Sequence, residues 1–509
     1  MRVVMAATDF FNAADWVVIL VYLGGIIGFG LWQGRGQTTT RDYFLGSRSM
    51  PWWGVGLSIV ATETSALTFI GVPAMAFGAD GMTFIQIILG YAIARVILAI
   101  VLVPHYFKGE IYSPYQLFEQ AFGPAARRTA GAFFLGSGLI AAGVRVYVTC
   151  IPLQLMLGFG EGGILVAIAG FILLALGYVW FGGVKSAVSV EAVQFLIFVG
   201  GGLFTLFYIP SLLEGGWGQA MEVAGAGGKL DWLILDFSLA KPFNLWMGLI
   251  GGTVFVMSTH GADQLIVQRV LSCGSVKAGR KALALSAVLI VPLFLIFLGV
   301  GVLLWVYYQV HPAMPIGIPE ARPGVGKNDY VFPIFILTEV PHVARGFLIV
   351  AILAAAMSSV SAALSALSSV FTMDFYKGLS KVVRTEAHYL KFSRASMLLW
   401  AVLLGGIAVL TKEVTSVINA ALALSGLTNG ALLGGLILAL WWRRGSAMPV
   451  MTGMLVALVV MVTLYTFFRP VVAWPWYTLI GASVTLGVAW ACRRVQEAGG
   501  RKGTGGRTL

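Results

Sequence analysis

The stretch AILAAAMSSVSAALSALSSVFTMDFYK, residues 351–377, reads as an apolar helix with hydroxyls along one face. Ser358, Ser361, Ser365, and then Ser368 with Ser369, follow the three-to-four-residue spacing that stacks side chains on one side of a helix. At membrane depth no water reaches such oxygens, so the stripe needs either a partner helix or a small cation. Membrane depth follows from composition: hydrophobic residues make up 59% of the chain and charged ones 11%, against roughly 25% charged in soluble proteins.

Apolar stretches of roughly 20 residues number about thirteen. Their cores are near 14–33, 52–77, 82–104, 129–157, 162–181, 187–212, 244–265, 282–308, 343–371, 394–411, 415–441, 447–468 and 474–492. The fold class predicted is therefore all-α, a polytopic membrane protein of about 13 transmembrane helices. The opening MRVVMAATDFFNAADW lacks the basic region, apolar run and cleavage site of a removable signal peptide.

With residue 1 outside, Arg35, Arg41, Arg48, Arg127, Arg128, Arg269, Arg280, Lys281, Lys377, Arg384, Arg443, Arg444, Arg493 and Arg494 all fall on the cytoplasmic side, as the positive-inside bias requires. The long loops 213–243 and 309–342 then lie outside and hold few basic residues. The formal charge of +12 is thus explained by topology and a basic tail at 493–509, with no call for nucleic acid. Cys150, Cys273 and Cys492 are isolated, which predicts neither a disulfide nor a metal cluster. Five histidines and three scattered cysteines offer no acid–base pair or nucleophile constellation, so no enzyme is expected.

Two apolar segments break around polar residues. The second span is interrupted at SIVATETSALTF, with Thr62, Glu63, Thr64 and Ser65 at mid-membrane. The seventh is interrupted near GGTVFVMSTHGADQ, with Gly251, Gly252, Ser258, Thr259, His260 and Gly261. The breaks are five spans apart, an odd number, so the two units run in opposite directions through the membrane. Paired broken helices in inverted repeats point to a midplane binding site in a secondary transporter; each break alone reads equally as a packing kink.

Five segments carry a family resemblance: DYFLGSRSMPWWGVGLSIVATETSALTFIGVPA (42–74), FGGVKSAVSVEAVQF (181–195), ADQLIVQRVLS (262–272), the 351–377 stretch, and GLTNGALLGG (426–435). Together they resemble the sodium/solute symporter family of proline, sugar, monocarboxylate, iodide and sialic acid carriers. The resemblance implies the five-plus-five inverted-repeat fold of the leucine transporter. It divides the chain into an additional helix (1–40), a first repeat with spans 2–6 (41–212), a second with spans 7–11 (213–441), additional helices (442–492) and the tail.

The resemblance also implies a Na+ site. Its ligands would be the carbonyls of Ala61 and Thr64 at the break in span 2, with the carbonyl of Ala355 and the hydroxyls of Ser358 and Ser359 in span 9. A possible second cation would use Glu191 and Ser361, although Ala362 stands where a further hydroxyl would help. Glu191 reads equally as a structural hydrogen-bonding acid. Glu63, His260 and Asp263 are expected to organise the helix breaks and coupling, His260 as a hydrogen-bonded residue and not a proton relay.

For substrate, the fold implies a site lined by Thr68, Gln86, Arg145, Phe255, Thr259 and Ser425. Arg145 and Arg95 lie well inside spans 4 and 3; either they face the cavity and hold a carboxylate, or they pair internally with Glu63 or Glu191 or with carbonyls freed at a kink. Sugar carriers have an aromatic gate in span 7 and a lysine in span 8; here Thr259 stands near the first place and 283–305 is apolar. The expected function is sodium-coupled symport of a small solute, leaning to an organic anion or monocarboxylate, by alternating access and as a monomer in the bilayer. The alternatives are proton coupling through Glu63, Glu191 or Asp263, or a sugar or amino-acid cargo.

Overall fold

Long uncharged apolar runs become helices in this chain because a helix alone satisfies its own backbone within lipid. The computed structural model describes residues 10–157, 163–313, 317–318, 320–322, 325–380, 382–411, 417–442 and 445–504. Arg443, Arg444 and the end of the basic tail lie outside them.

In chain order the helices are α1 (Ala13–Gln33), α2 (Thr40–Leu45), α3 (Trp52–Glu63), α4 (Val72–Phe77), α5 (Ile85–Val101), α6 (Val103–Tyr106), α7 (Tyr115–Phe122), α8 (Pro124–Leu157), α9 (Gly163–Ser211) and α10 (Gly216–Ala226). There follow α11 (Thr253–Gly261), α12 (Gln264–Leu271), α13 (Val276–Val310), α14 (Val331–Thr338), α15 (Ala344–Val370), α16 (Lys377–Leu379), α17 (Glu386–Leu410), α18 (Val417–Trp442), α19 (Ala447–Phe467) and α20 (Tyr477–Thr504). A two-stranded hairpin, β1 (Glu320–Arg322) with β2 (Val325–Gly326), sits in the loop between α13 and α14.

Among the described residues, eight helices are long and apolar enough to cross a bilayer, or nine with the bent pair in span 2. The expected thirteen spans are not all reproduced on that criterion. Spans 5 and 6 both fall within the 49 residues of α9, which one non-helical residue divides into two helices, each long enough to cross the bilayer. The join is Gly183, at φ 53° and ψ −150°. A Cβ there would lie 2.2 Å from the carbonyl of Tyr43, so only glycine fits this turn.

The core is organised around α15, whose residues from Leu348 to Val370 are all buried. Its serines are satisfied by neighbours in turn. Ser361 accepts from Tyr178 at 2.7 Å, Ser365 donates to Gln268 at 3.4 Å, Ser368 donates to the carbonyl of Ser393 at 2.8 Å, and Ser369 accepts from Gln264 at 3.3 Å. Most of the stripe is thus a helix-packing surface; its upper end is different.

Candidate functional site

Span 2 breaks where hydroxyl residues compete for the backbone. Thr64 Oγ1 donates to the carbonyl of Val60 at 2.5 Å, and Ser65 Oγ accepts from the amide of Leu67 at 3.1 Å. α3 therefore stops at Glu63, Thr64 turns extended (φ −84°, ψ 105°), and the chain resumes as a π-helical turn over Leu67–Gly71 before α4. The two halves are bent by 59°. Ending a helix leaves its last carbonyls without amide partners, and Ala61 is among them.

That carbonyl meets α15. Ser358 Oγ lies 2.8 Å from the oxygen of Ala61 and 2.8 Å from that of Ala355, while Ser359 Oγ lies 3.1 Å from the oxygen of Ala355. Four oxygens here share only two hydroxyl hydrogens. The donor set is hard, neutral and all oxygen, which suits an alkali cation better than a transition metal. Of the five expected ligands, Ala61, Ala355, Ser358 and Ser359 are brought together, and Thr64 caps the same helix end.

The residues expected at a second cation site are otherwise engaged. Both oxygens of Glu191 face Arg269, at 2.7 Å from Nη2 and 3.1 Å from Nε. One also accepts from Ser58 and, at 3.3 Å, from Thr62. Glu191 and Arg269 are both fully buried, so the pair neutralises itself. Ser361 donates to the carbonyl of Ser358 at 3.1 Å and accepts from Tyr178, and no hydrogen bond joins it to Glu191.

Glu63 is bound by Arg95, whose guanidinium also donates to the carbonyl of Tyr91 at 3.0 Å. Arg95 therefore pairs internally. His260 Nε2 stands 3.5 Å from the same Glu63 oxygen, and His260 Nδ1 is 3.1 Å from Thr259 Oγ1. A carboxylate at the break of span 2 thus touches span 3 and the second broken span, span 7. The second break falls at Ala262 and Asp263, between α11 and α12, directly after Gly261 and within the expected stretch 251–264; Gly251 and Gly252 close a π-helical turn over Met247–Gly252. Asp263 caps α12, accepting from the amide of Leu265 at 2.8 Å.

Between the breaks lies a cavity of about 120 Å³. Thr68, Arg145, Phe255, Thr259 and Ser425 line it, as do Glu63, His260 and Asp263. Arg145 makes no hydrogen bond or ion pair through its guanidinium among the described residues. Gln86 is the exception to the expected lining. It is fully buried, donating to the carbonyl of Phe243 at 2.5 Å and accepting from the amide of Ile234 at 3.0 Å, so it clamps the loop before span 7 and does not face the cavity. Asn429 also lines the cavity and was not anticipated; its four-residue spacing from Ser425 on α18 is the signal that marks it.

A family model described as sodium:solute symporter family matches residues 43–457. The chain is 27% identical over 461 residues to a sodium/sialic acid symporter of Proteus mirabilis, covering 88% of this chain and 89% of that protein. It is 26% identical over 469 residues to a sodium/glucose cotransporter of Vibrio parahaemolyticus (87% and 83% covered) and 25% identical over 480 residues to sodium-coupled monocarboxylate transporter 2 of Bos taurus (91% and 75%). A solved substrate-bound, outward-open Na+-coupled sialic acid symporter matches with a TM-score of 0.83 at 25% identity, over 94% of this chain and 97% of that one. A nucleobase-cation-symport-1 family transporter, at TM-score 0.53 and 13% identity, shares the fold alone.

Proposed function

The chain belongs to the sodium:solute symporter family, and from that premise we propose that its cargo is a small organic anion held by Arg145. Sodium-coupled symport by an integral, multi-pass membrane protein is common to the relatives. What carries the finer reading is a guanidinium inside the cavity with no direct ion pair among the described residues, although the carboxylates of Asp263 and Glu63 act on it across the cavity. A buried charge of this kind costs at least about 2.5–3.5 kcal/mol when unpaired, and a carboxylate is its natural bidentate partner.

Sodium in this reading binds Ala61, Thr64, Ala355, Ser358 and Ser359, where the end of α3 meets α15. By neutralising the excess of oxygens there it tightens the contact between the two elements. If sodium and solute favour the same state, each strengthens the other's binding by an equal factor. Glu191 is read as a structural partner of Arg269, which favours one sodium per solute. Of the three acids that a proton-coupled carrier would use, Glu63 and Glu191 are already held by arginines.

We set the repeats at 41–212 and 213–441, a division supported by the breaks that interrupt spans 2 and 7. An outside N-terminus is supported by the distribution of Lys and Arg, and the cavity is built within one chain, which favours a functional monomer. Uptake into proteoliposomes under an imposed sodium gradient tests the reading. N-acetylneuraminate and lactate should accumulate and compete with one another, whereas uptake of glucose with no carboxylic acid competing would overturn it.

A further inference from the structure

Asn429 is 4% exposed and lines the cavity, yet its side-chain nitrogen has no hydrogen-bond partner. Buried carboxamides are nearly always paired, and an orphan at a cavity wall marks a place where something else supplies the partner. Its position is fixed from two sides. The backbone carbonyl of Asn429 accepts from Ser258 Oγ of α11 at 2.7 Å. The next residue, Gly430, packs so closely on α20 that a Cβ there would lie 2.7 Å from Gly481. α18 therefore cannot rotate to give the amide another partner.

We propose that Asn429 is a specificity residue, its carboxamide hydrogen-bonding a hydroxyl or acylamino group carried by the transported acid. The inference rests on the carboxylate reading of Arg145 and narrows it, from small acids in general to those with a second polar group. Selection follows from the orphan itself. A plain alkyl carboxylate that fills the cavity leaves the amide buried and unpaired, whereas a substituted one satisfies it; sites built around a buried polar group reject analogues that lack the matching one. Ser425, four residues earlier on the same helix face, lies beside it on the cavity wall.

The test compares propanoate, lactate and N-acetylneuraminate as solutes for wild-type protein and the near-isosteric Asn429→Leu variant in proteoliposomes. Wild type should favour lactate and N-acetylneuraminate over propanoate. In the variant the ratio of KM values, substituted over plain acid, should rise about tenfold, while the melting temperature in sodium without solute holds or rises. An unchanged ratio overturns the proposal. So does a variant that melts lower and binds all three acids equally less well, because Asn429 would then be structural. Asn429→Asp, which keeps the shape but adds a negative charge, should weaken all three acids and discriminates a cavity-facing group from a packed one. Should wild type accumulate none of the three, the carboxylate reading itself fails and this one with it, a result distinguishable from an unchanged ratio.

Discussion

Ser358 Oγ and the carbonyl oxygen of Ala61 lie 2.8 Å apart, although 297 residues separate them in sequence. The approach is possible because α3 stops early and leaves that carbonyl free, and because α15 carries alanines and serines that let another backbone close in. The contact joins the two elements that the proposed sodium would bind.

Changing Ser358 and Ser359 together to alanine should remove two of the neutral ligands. Interactions of hydroxyls with a charged partner are worth about 1.5–3 kcal/mol, so the sodium concentration giving half-maximal thermal stabilisation should rise at least about tenfold. A sodium titration of the melting curve, with no solute present, measures it; an unchanged midpoint refutes the site.

Arg145→Lys keeps a charge but loses bidentate geometry, and Arg145→Ala loses both. Removing one partner of a desolvated charged pair costs about 2–5 kcal/mol, so KM for an acid should rise about 30-fold or more in the alanine variant and less in the lysine variant. Sodium binding without solute should shift little, since the guanidinium touches none of the proposed sodium ligands. A loss of sodium affinity equal to the loss of solute affinity would place Arg145 elsewhere in the cycle.

Glu63→Gln leaves the fully buried Arg95 without its counter-charge, and a stranded charge costs about 3–5 kcal/mol. The single variant should melt well below wild type, and Glu63→Gln with Arg95→Gln should recover most of the difference. Thermal melts of the four proteins form a double-mutant cycle; additive losses would show that the two side chains do not act as a pair.

The Glu191–Arg269 pair makes a parallel case with a different readout. If Glu191 is structural, replacing both residues by glutamine should leave the sodium moved per solute at one, measured as labelled sodium uptake against labelled solute uptake. A wild-type ratio of two that falls to one in the double variant would instead establish Glu191 as a cation ligand.

Local pattern carried much of this into the sequence. The serine spacing in 351–377 and the hydroxyl cluster at 62–65 are short-range signals that mark the two elements, whereas the grouping of Ala61, Thr64, Ala355, Ser358 and Ser359 came from the family resemblance. Long-range pairing left no such trace: Glu191 and Arg269 are 78 residues apart, and neither position announces its partner. Gln86 misled because a glutamine in an apolar span looks like a solute ligand, whereas a loop 148 residues later takes up its amide. The two spans read at 162–181 and 187–212 correspond to the two helices that meet at Gly183, within the run 163–211.

Among the described glycines, those joining spans 3 and 7 leave the least room for a side chain. A Cβ on Gly90 would lie 2.1 Å from the carbonyl of Gly248, and one on Gly248 would lie 2.1 Å from the carbonyl of Gln86. With no side chain between them, these segments cannot slide without lifting apart, so they are coupled like two welded plates. Whatever swing delivers cargo to the other side must carry both at once, and the slack for it has to be found at seams elsewhere. A bulky graft at either glycine would pry the weld open and jam the stroke while leaving the ion's seat intact.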